Sequence, residues 1–280
     1  MLRYKHMSEI DAEQLAETDA ESHEADKSLI IYEQPVNELM RSCLRIEYLF
    51  NRIDHCLEKL SIDDGAELIV KTIIDILDLL DRPDLKSRIT KEFHRHYTTF
   101  SQWMRAYNVD QSALESTLRQ IKRYKEHFLS SQMKIANSLR TEPFIASVRQ
   151  HFNYPGDCHI DSPLYVYWLH QPEQAREKDL HGWLDHLAQI RSAITLLLKI
   201  VRDCTDMHEC QAEHGFYHQA LNTDTPCQLI RIMLKKNDEF YPEISAGRHR
   251  MSVRFLQANT FDPPLQSNET ITFQLACCSI

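Results

Sequence analysis

The chain has 280 residues, 42% of them hydrophobic and 26% charged, with a formal net charge of −9. That is the composition of an ordinary globular protein, long enough to bury a core in one large domain or two modest ones. No apolar run approaches the roughly 20 residues that span a bilayer, and the acidic balance argues against a dedicated nucleic-acid binder.

Residues 1–27 read as a flexible acidic leader. Eight acidic side chains stand there against three basic ones, a local net of −5 that leaves −4 on the other 253 residues. Arg3 and Lys5 are followed by acidic residues rather than by an apolar signal-peptide core, so the expected location is the cytoplasm. Next comes Leu29-Ile30-Ile31-Tyr32, β-branched and aromatic and closed by Pro35, which predicts a strand over residues 28–34. A lone strand is not stable in water, so this one must pair with strands from elsewhere in the chain.

Residues 35–205 predict an α-helical domain. Pro35 and Asn37 open a long helix whose apolar stripe includes Leu39, Met40, Cys43, Phe50, Ile53 and Leu57. Asp63-Asp64-Gly65 reads as a turn, followed by a helix over Ala66–Leu80 that Arg82-Pro83 ends. A third helix spans about Asp84–Ala106, and a fourth about Gln111–Asn137 with Asp110 as its N-cap. Pro143–Phe152 is a shorter one, opened by Glu142-Pro143. Asn153–Pro163 carries Pro155-Gly156-Asp157 and reads as a loop. Leu164–His170 is a short helix or extended segment, and Pro172 opens a helical stretch to about Cys204 with a turn near Gly182.

After residue 205 the period changes to two. Ile230, Ile232 and Leu234 alternate with Arg231 and Lys235. Met251, Val253 and Phe255 alternate with Arg250, Ser252 and Arg254. Ile271, Phe273, Leu275 and Cys277 do the same near the end. His208–Leu221 predicts one further strand. The fold class is therefore α+β: a mostly helical domain, then an antiparallel β domain over residues 206–280 that the N-terminal strand joins.

The five glycines are scattered, the closest two 26 positions apart, so neither a phosphate-cradling loop nor a nucleophile elbow can be written from them. The eight cysteines contain no C-x-x-C and read as small buried apolar residues. Asp63-Asp64 and Asp75/Asp78 fit turn and helix-surface roles better than paired catalytic carboxylates, and no nucleophile–base pair is evident. His208, Cys210, His214 and His218 would share a face if their segment is one strand, which leaves a metal-dependent enzyme as an alternative reading. His94 and His96 diverge on a helix and read as solvated. Lys122-Arg123-Lys125 is the feature that a third, nucleic-acid reading would use.

The basic residues of the β domain stand out most. Arg248, Arg250 and Arg254 occupy alternate positions of one predicted strand, and Arg231 and Lys235 of another. If those strands pair, five cations line one surface, suited to carboxylates that guanidinium groups grip bidentately. Arg41 and Arg45 lie one helical turn apart on the first long helix. Each group is also what an ordinary solvated face contains.

The order and spacing of several short motifs resemble the ZapD family. They are Glu33-Gln34-Pro35-Val36-Asn37-Glu38 with Met40-Arg41 and Leu44-Arg45-Ile46-Glu47, then Val148-Arg149-Gln150, Trp168-Leu169-His170 and Gly215-Phe216-Tyr217. After these come Tyr241-Pro242-x-Ile244-Ser245, Arg250 through Arg254-Phe255, and Phe273-x-Leu275-Ala276-Cys277-Cys278. The resemblance covers about Ile31 to Cys278. It implies a homodimer at the mid-cell division site that binds the C-terminal tail of FtsZ through a basic groove and bundles FtsZ filaments, without catalytic activity or cofactor. By motif position it assigns that contact to Arg41, Arg45, Arg250 and Arg254, with Arg140 and Arg248 as further members.

Overall fold

The fold, taken from a computed structural model, is described for residues 29–104, 111–130, 133–152, 162–236, 238–257 and 263–280. The acidic leader, Asp110 and the Pro155-Gly156-Asp157 loop lie outside them. The architecture is α+β, with helices followed by C-terminal strands. The chain divides into two compact units: one holds the first strand and the residues from Lys199 onward, the other residues 42–102 and 113–198.

The helical elements begin with α1 (Glu38–Lys59). The Asn37 side chain accepts from Met40 N at 2.8 Å, satisfying one of the helix's orphan donors. α2 (Ile62–Leu80) starts earlier than the sequence predicts. Ser61 Oγ accepts from Asp64 N at 3.2 Å and donates to the Asp64 carboxylate at 2.8 Å, a reciprocal cap. The expected Asp63-Asp64-Gly65 turn is therefore the first turn of the helix. α3 (Leu85–Trp103) and α4 (Gln111–Ser130) follow, Phe93 of α3 stacking on Tyr124 at 5.8 Å and on Phe128 at 6.4 Å. α4 stops at Ser130, short of Asn137, which instead opens the brief α5 (Asn137–Arg140). His96 is fully buried, with Nε2 3.1 Å from Glu92, not solvated as its polarity predicts.

α6 (Pro143–His151), α7 (Pro163–Leu169) and α8 (Glu173–Asp185) gather an aromatic cluster. Phe144 stacks on Trp183 at 4.8 Å and meets Trp168 at 5.1 Å, while Trp168 Nε1 donates to Asp179 at 3.0 Å. Gly182 lies inside α8 and does not break it. The cost of one helical glycine, about 1 kcal/mol, is outweighed by burial of Leu180 and Trp183 beside it. The break falls instead at His186-Leu187, before α9 (Ala188–Asp203).

The β unit is built from two antiparallel sheets. β1 (Leu29–Pro35), β4 (Leu229–Lys235), β7 (Ile271–Cys278) and β2 (His208–Ala212) form the first, in that order. The second has the order β3 (Phe216–Ala220), β6 (Arg250–Gln257), β5 (Phe240–Ala246). β1 does join the C-terminal sheet, pairing Glu33 with Arg231 on β4. Ile230, Ile232, Phe273 and Leu275 from the first sheet pack with Met251, Val253 and Phe255 from the second, and Phe255 meets Phe273 at 4.9 Å.

The single strand expected over His208–Leu221 is two strands. His214 at φ 51° and Gly215 at φ 67° make a left-handed pair, with Phe216 N donating to Glu213 O at 3.0 Å. A Cβ on Gly215 would stand 2.5 Å from the Ser267 carbonyl oxygen, so the site accepts no side chain. Period two does not predict β5, because Pro242 interrupts its pattern. It is an edge strand, where a missing N–H is tolerated.

Candidate functional site

The outer face of the three-stranded sheet collects the polar residues that period-two alternation puts opposite its core. On β6, Arg250, Ser252 and Arg254 alternate with buried Met251, Val253 and Phe255. The register sets Phe216 of β3 and Glu243 of β5 on either side of Arg254, and His218 and Ser245 on either side of Ser252. Four strand steps separate Arg250 from Arg254, about 13 Å.

The two arginines differ in surroundings. Arg250 borders a groove of about 750 Å³ whose lining includes Phe216, His218, Ser245 and Ser252 and, among the described residues, no carboxylate. The rings of Phe216 and His218 stack at 5.9 Å, and Phe216 is 42% exposed. Arg254 Nη2 instead donates to Glu243 Oε2 at 2.5 Å. The groove thus offers a cation, hydroxyl donors and an aromatic surface, a combination that accepts a carboxylate beside an apolar side chain.

The other predicted cations divide. Arg248 is exposed but lies in the turn between β5 and β6, where Gly247 N donates to Arg250 O at 3.0 Å, and so does not share the strand face. Arg231 and Lys235 belong to the other sheet, so the five-cation surface does not form. Arg231 is spent on Glu33, donating at 3.0 Å. Arg140 is 8% exposed; its Nε donates to the Ile135 carbonyl at 2.9 Å and its Nη1 lies 2.8 Å from Asp81. That places it in the helical unit's framework with Arg149 and Lys134, which bind the same aspartate.

Arg41 and Arg45 do lie one turn apart on α1. Arg41 Nε is 3.4 Å from Glu38. Arg45 is exposed and borders a groove of about 480 Å³ with Tyr48, Asp75, Asp78 and Arg82.

The His208–His218 set does not converge. Cys210 packs into the core 3.7 Å from the Tyr217 hydroxyl, His214 occupies the turn, and His218 points outward from the other sheet. Among the described residues no group of three or more His, Cys, Asp or Glu could hold a metal ion. Lys122 pairs with Glu126 at 4.0 Å and Lys125 sits 4.4 Å over the Tyr97 ring, so that basic run is partly engaged within the helices. No helix among the described residues is long and apolar enough to cross a membrane.

Phe216, Glu243 and Ser245 are absent from the sequence-derived site, and His218 enters it only as a candidate metal ligand, not as part of this face. For β3, alternation of Phe216 and His218 with Tyr217 was an available signal. For β5, Pro242 hid the strand and with it Glu243.

Residues 44–254 match the ZapD family, described as a cell division protein. The chain is 36% identical over 255 residues to the cell division protein ZapD of Coxiella burnetii (strain RSA 493 / Nine Mile phase I), covering 90% of this chain and 98% of the relative. It is 31% identical over 254 residues to ZapD of Enterobacter sp. (strain 638), covering 90% and 99%. With its helices, its paired sheets and nearly full-length similarity to these relatives, the chain belongs to the ZapD family of cell division proteins.

Proposed function

We propose that this chain acts without catalysis, binding the C-terminal tail of FtsZ through its basic residues and cross-linking FtsZ filaments at the cytoplasmic division site as a homodimer. Family membership supports the division role. The observation that carries the contact is the groove beside Arg250, lined by no carboxylate among the described residues, on the same strand face as Arg254. Arg41 and Arg45 are proposed to extend the contact. Arg248, exposed in the β5–β6 turn, is a weaker contributor, and Arg140 acts by holding Asp81 rather than by touching the partner.

The mechanism is one of valency. A few exposed charge-assisted contacts give each protomer a weak hold on one tail. A dimer facing a polymer with many tails gains avidity without any new contact, and bridges filaments when its two sites engage different ones. Added salt weakens the interaction because the contacts are exposed.

The test is co-sedimentation with FtsZ of a variant carrying Arg250→Glu and Arg254→Glu. The expected result is loss of FtsZ pelleting and bundling, with an unchanged far-UV circular dichroism spectrum and dimer mass. Unchanged bundling overturns the assignment.

A further inference from the structure

We infer that Glu243 is an internal stand-in for the partner's carboxylate, masking Arg254 and leaving Arg250 as the residue that makes first contact. The inference rests on the reading of this face as an acidic-peptide site. Cross-strand register places Glu243 directly opposite Arg254, and the pair closes at 2.5 Å with side chains 51% and 56% exposed. Arg250 has no carboxylate partner among the described residues and borders the open groove.

The two arginines are chemically identical and share a strand face, so what separates them is this neighbour. A carboxylate arriving at Arg250 has no acidic side chain to displace among the described residues. One arriving at Arg254 must exchange with Glu243, returning that side chain to solvent. Exposed pairs of this kind are weak, so the mask is displaceable and lowers affinity without abolishing it. Glu243 also presents a negative charge beside Arg254, which opposes any acidic ligand lying along β6.

The experiment measures binding of two labelled peptides to the full chain by fluorescence anisotropy: the C-terminal tail of FtsZ and an octaglutamate. The proteins are wild type, Glu243→Gln, Arg250→Ala, Arg254→Ala and the Glu243→Gln/Arg254→Ala double variant. Glu243→Gln is expected to tighten binding about threefold, the scale of an exposed ion pair. Arg250→Ala is expected to weaken it more than Arg254→Ala does, and the loss from Arg254→Ala to grow once Glu243 is neutral. A merely structural role for Glu243 would not produce that coupling. If the peptides bind but Glu243→Gln leaves affinity unchanged or lower, the inference is overturned. If octaglutamate tightens as expected while the FtsZ tail binds no variant, the masking role stands and the assignment of FtsZ as partner fails.

Discussion

Arg202 grips Glu33 with two nitrogens, Nε donating to Oε1 at 2.8 Å and Nη2 to Oε2 at 2.6 Å. Arg231 adds a third bond to the same carboxylate at 3.0 Å. Glu33 therefore ties β1 both to its sheet neighbour β4 and to the end of α9. Glu33→Ala leaves two half-buried guanidinium groups facing each other. It is expected to cost about 2 kcal/mol, less than the roughly 3–5 kcal/mol for breaking a fully buried pair. Urea unfolding followed by circular dichroism measures it, and a change below a few tenths of a kcal/mol contradicts the account.

Asp81 plays a comparable part in the helical unit. Burial pushes its carboxyl up, but the hydrogen bond from Arg149 and the charge of Arg140, with Lys134, outweigh burial and hold it below the ordinary range. A carboxyl depressed in the folded state contributes stability that is present above its unfolded value and lost as pH falls through the folded one. The wild-type urea midpoint should thus drop as pH falls below about 4. Asp81→Asn should be less stable at neutral pH and show a shallower acid decline.

Gly215→Ala tests the tight turn between β2 and β3. The substituted residue would have to hold φ 67° with its Cβ 2.5 Å from a backbone oxygen that is not free to swing away. The expected loss is about 2–4 kcal/mol, above the usual cost of a left-handed alanine because a clash is added to it. A Tm within one or two degrees of wild type would show that the loop carrying Ser267 yields readily.

The cysteines should differ sharply in reactivity. The Cys204 thiol is drawn down to about 7, first by its hydrogen bond with Cys278 and then, against burial, by Thr205 and the Ser279 backbone. Cys43 is pushed up to about 12, by burial first and by Glu92 and Glu47 after it. Since the thiolate is the nucleophile, iodoacetamide should label Cys204 early, with a midpoint near neutrality, and Cys43 only on unfolding. Cys278→Ala should move the Cys204 midpoint upward. Peptide mass spectrometry over a pH series reads both effects.

Much of the fold was legible because amphipathic period and capping are local. Asn37 and Glu142 cap helices where they were expected, and Leu29–Tyr32 is a strand in a sheet formed over a hundred residues later. What escaped depends on partners distant in sequence. Gly65 reads as a turn until Ser61 and Asp64 are seen to cap each other. His96 reads as solvated until α3 is packed. The shared strand face of Arg250 and Arg254 follows from spacing alone, but the contrast between them depends on which residue of β5 faces which residue of β6. Likewise, Arg231 looked like a member of a cationic surface because alternation exposes faces without naming the sheet. Its register partner Glu33 is 198 positions away.

The order β1-β4-β7-β2 has a consequence for synthesis. The first described strand and the last both hydrogen-bond to β4, so this sheet cannot be completed until β7 has left the ribosome. Meanwhile the emerging helices can pack among themselves, and β1 must wait with its ladder groups unpaired. Truncation after Thr272 would remove most of the strand joining β4 to β2. A nascent chain cut short there is left with two open strand edges, a ready target for quality-control proteases.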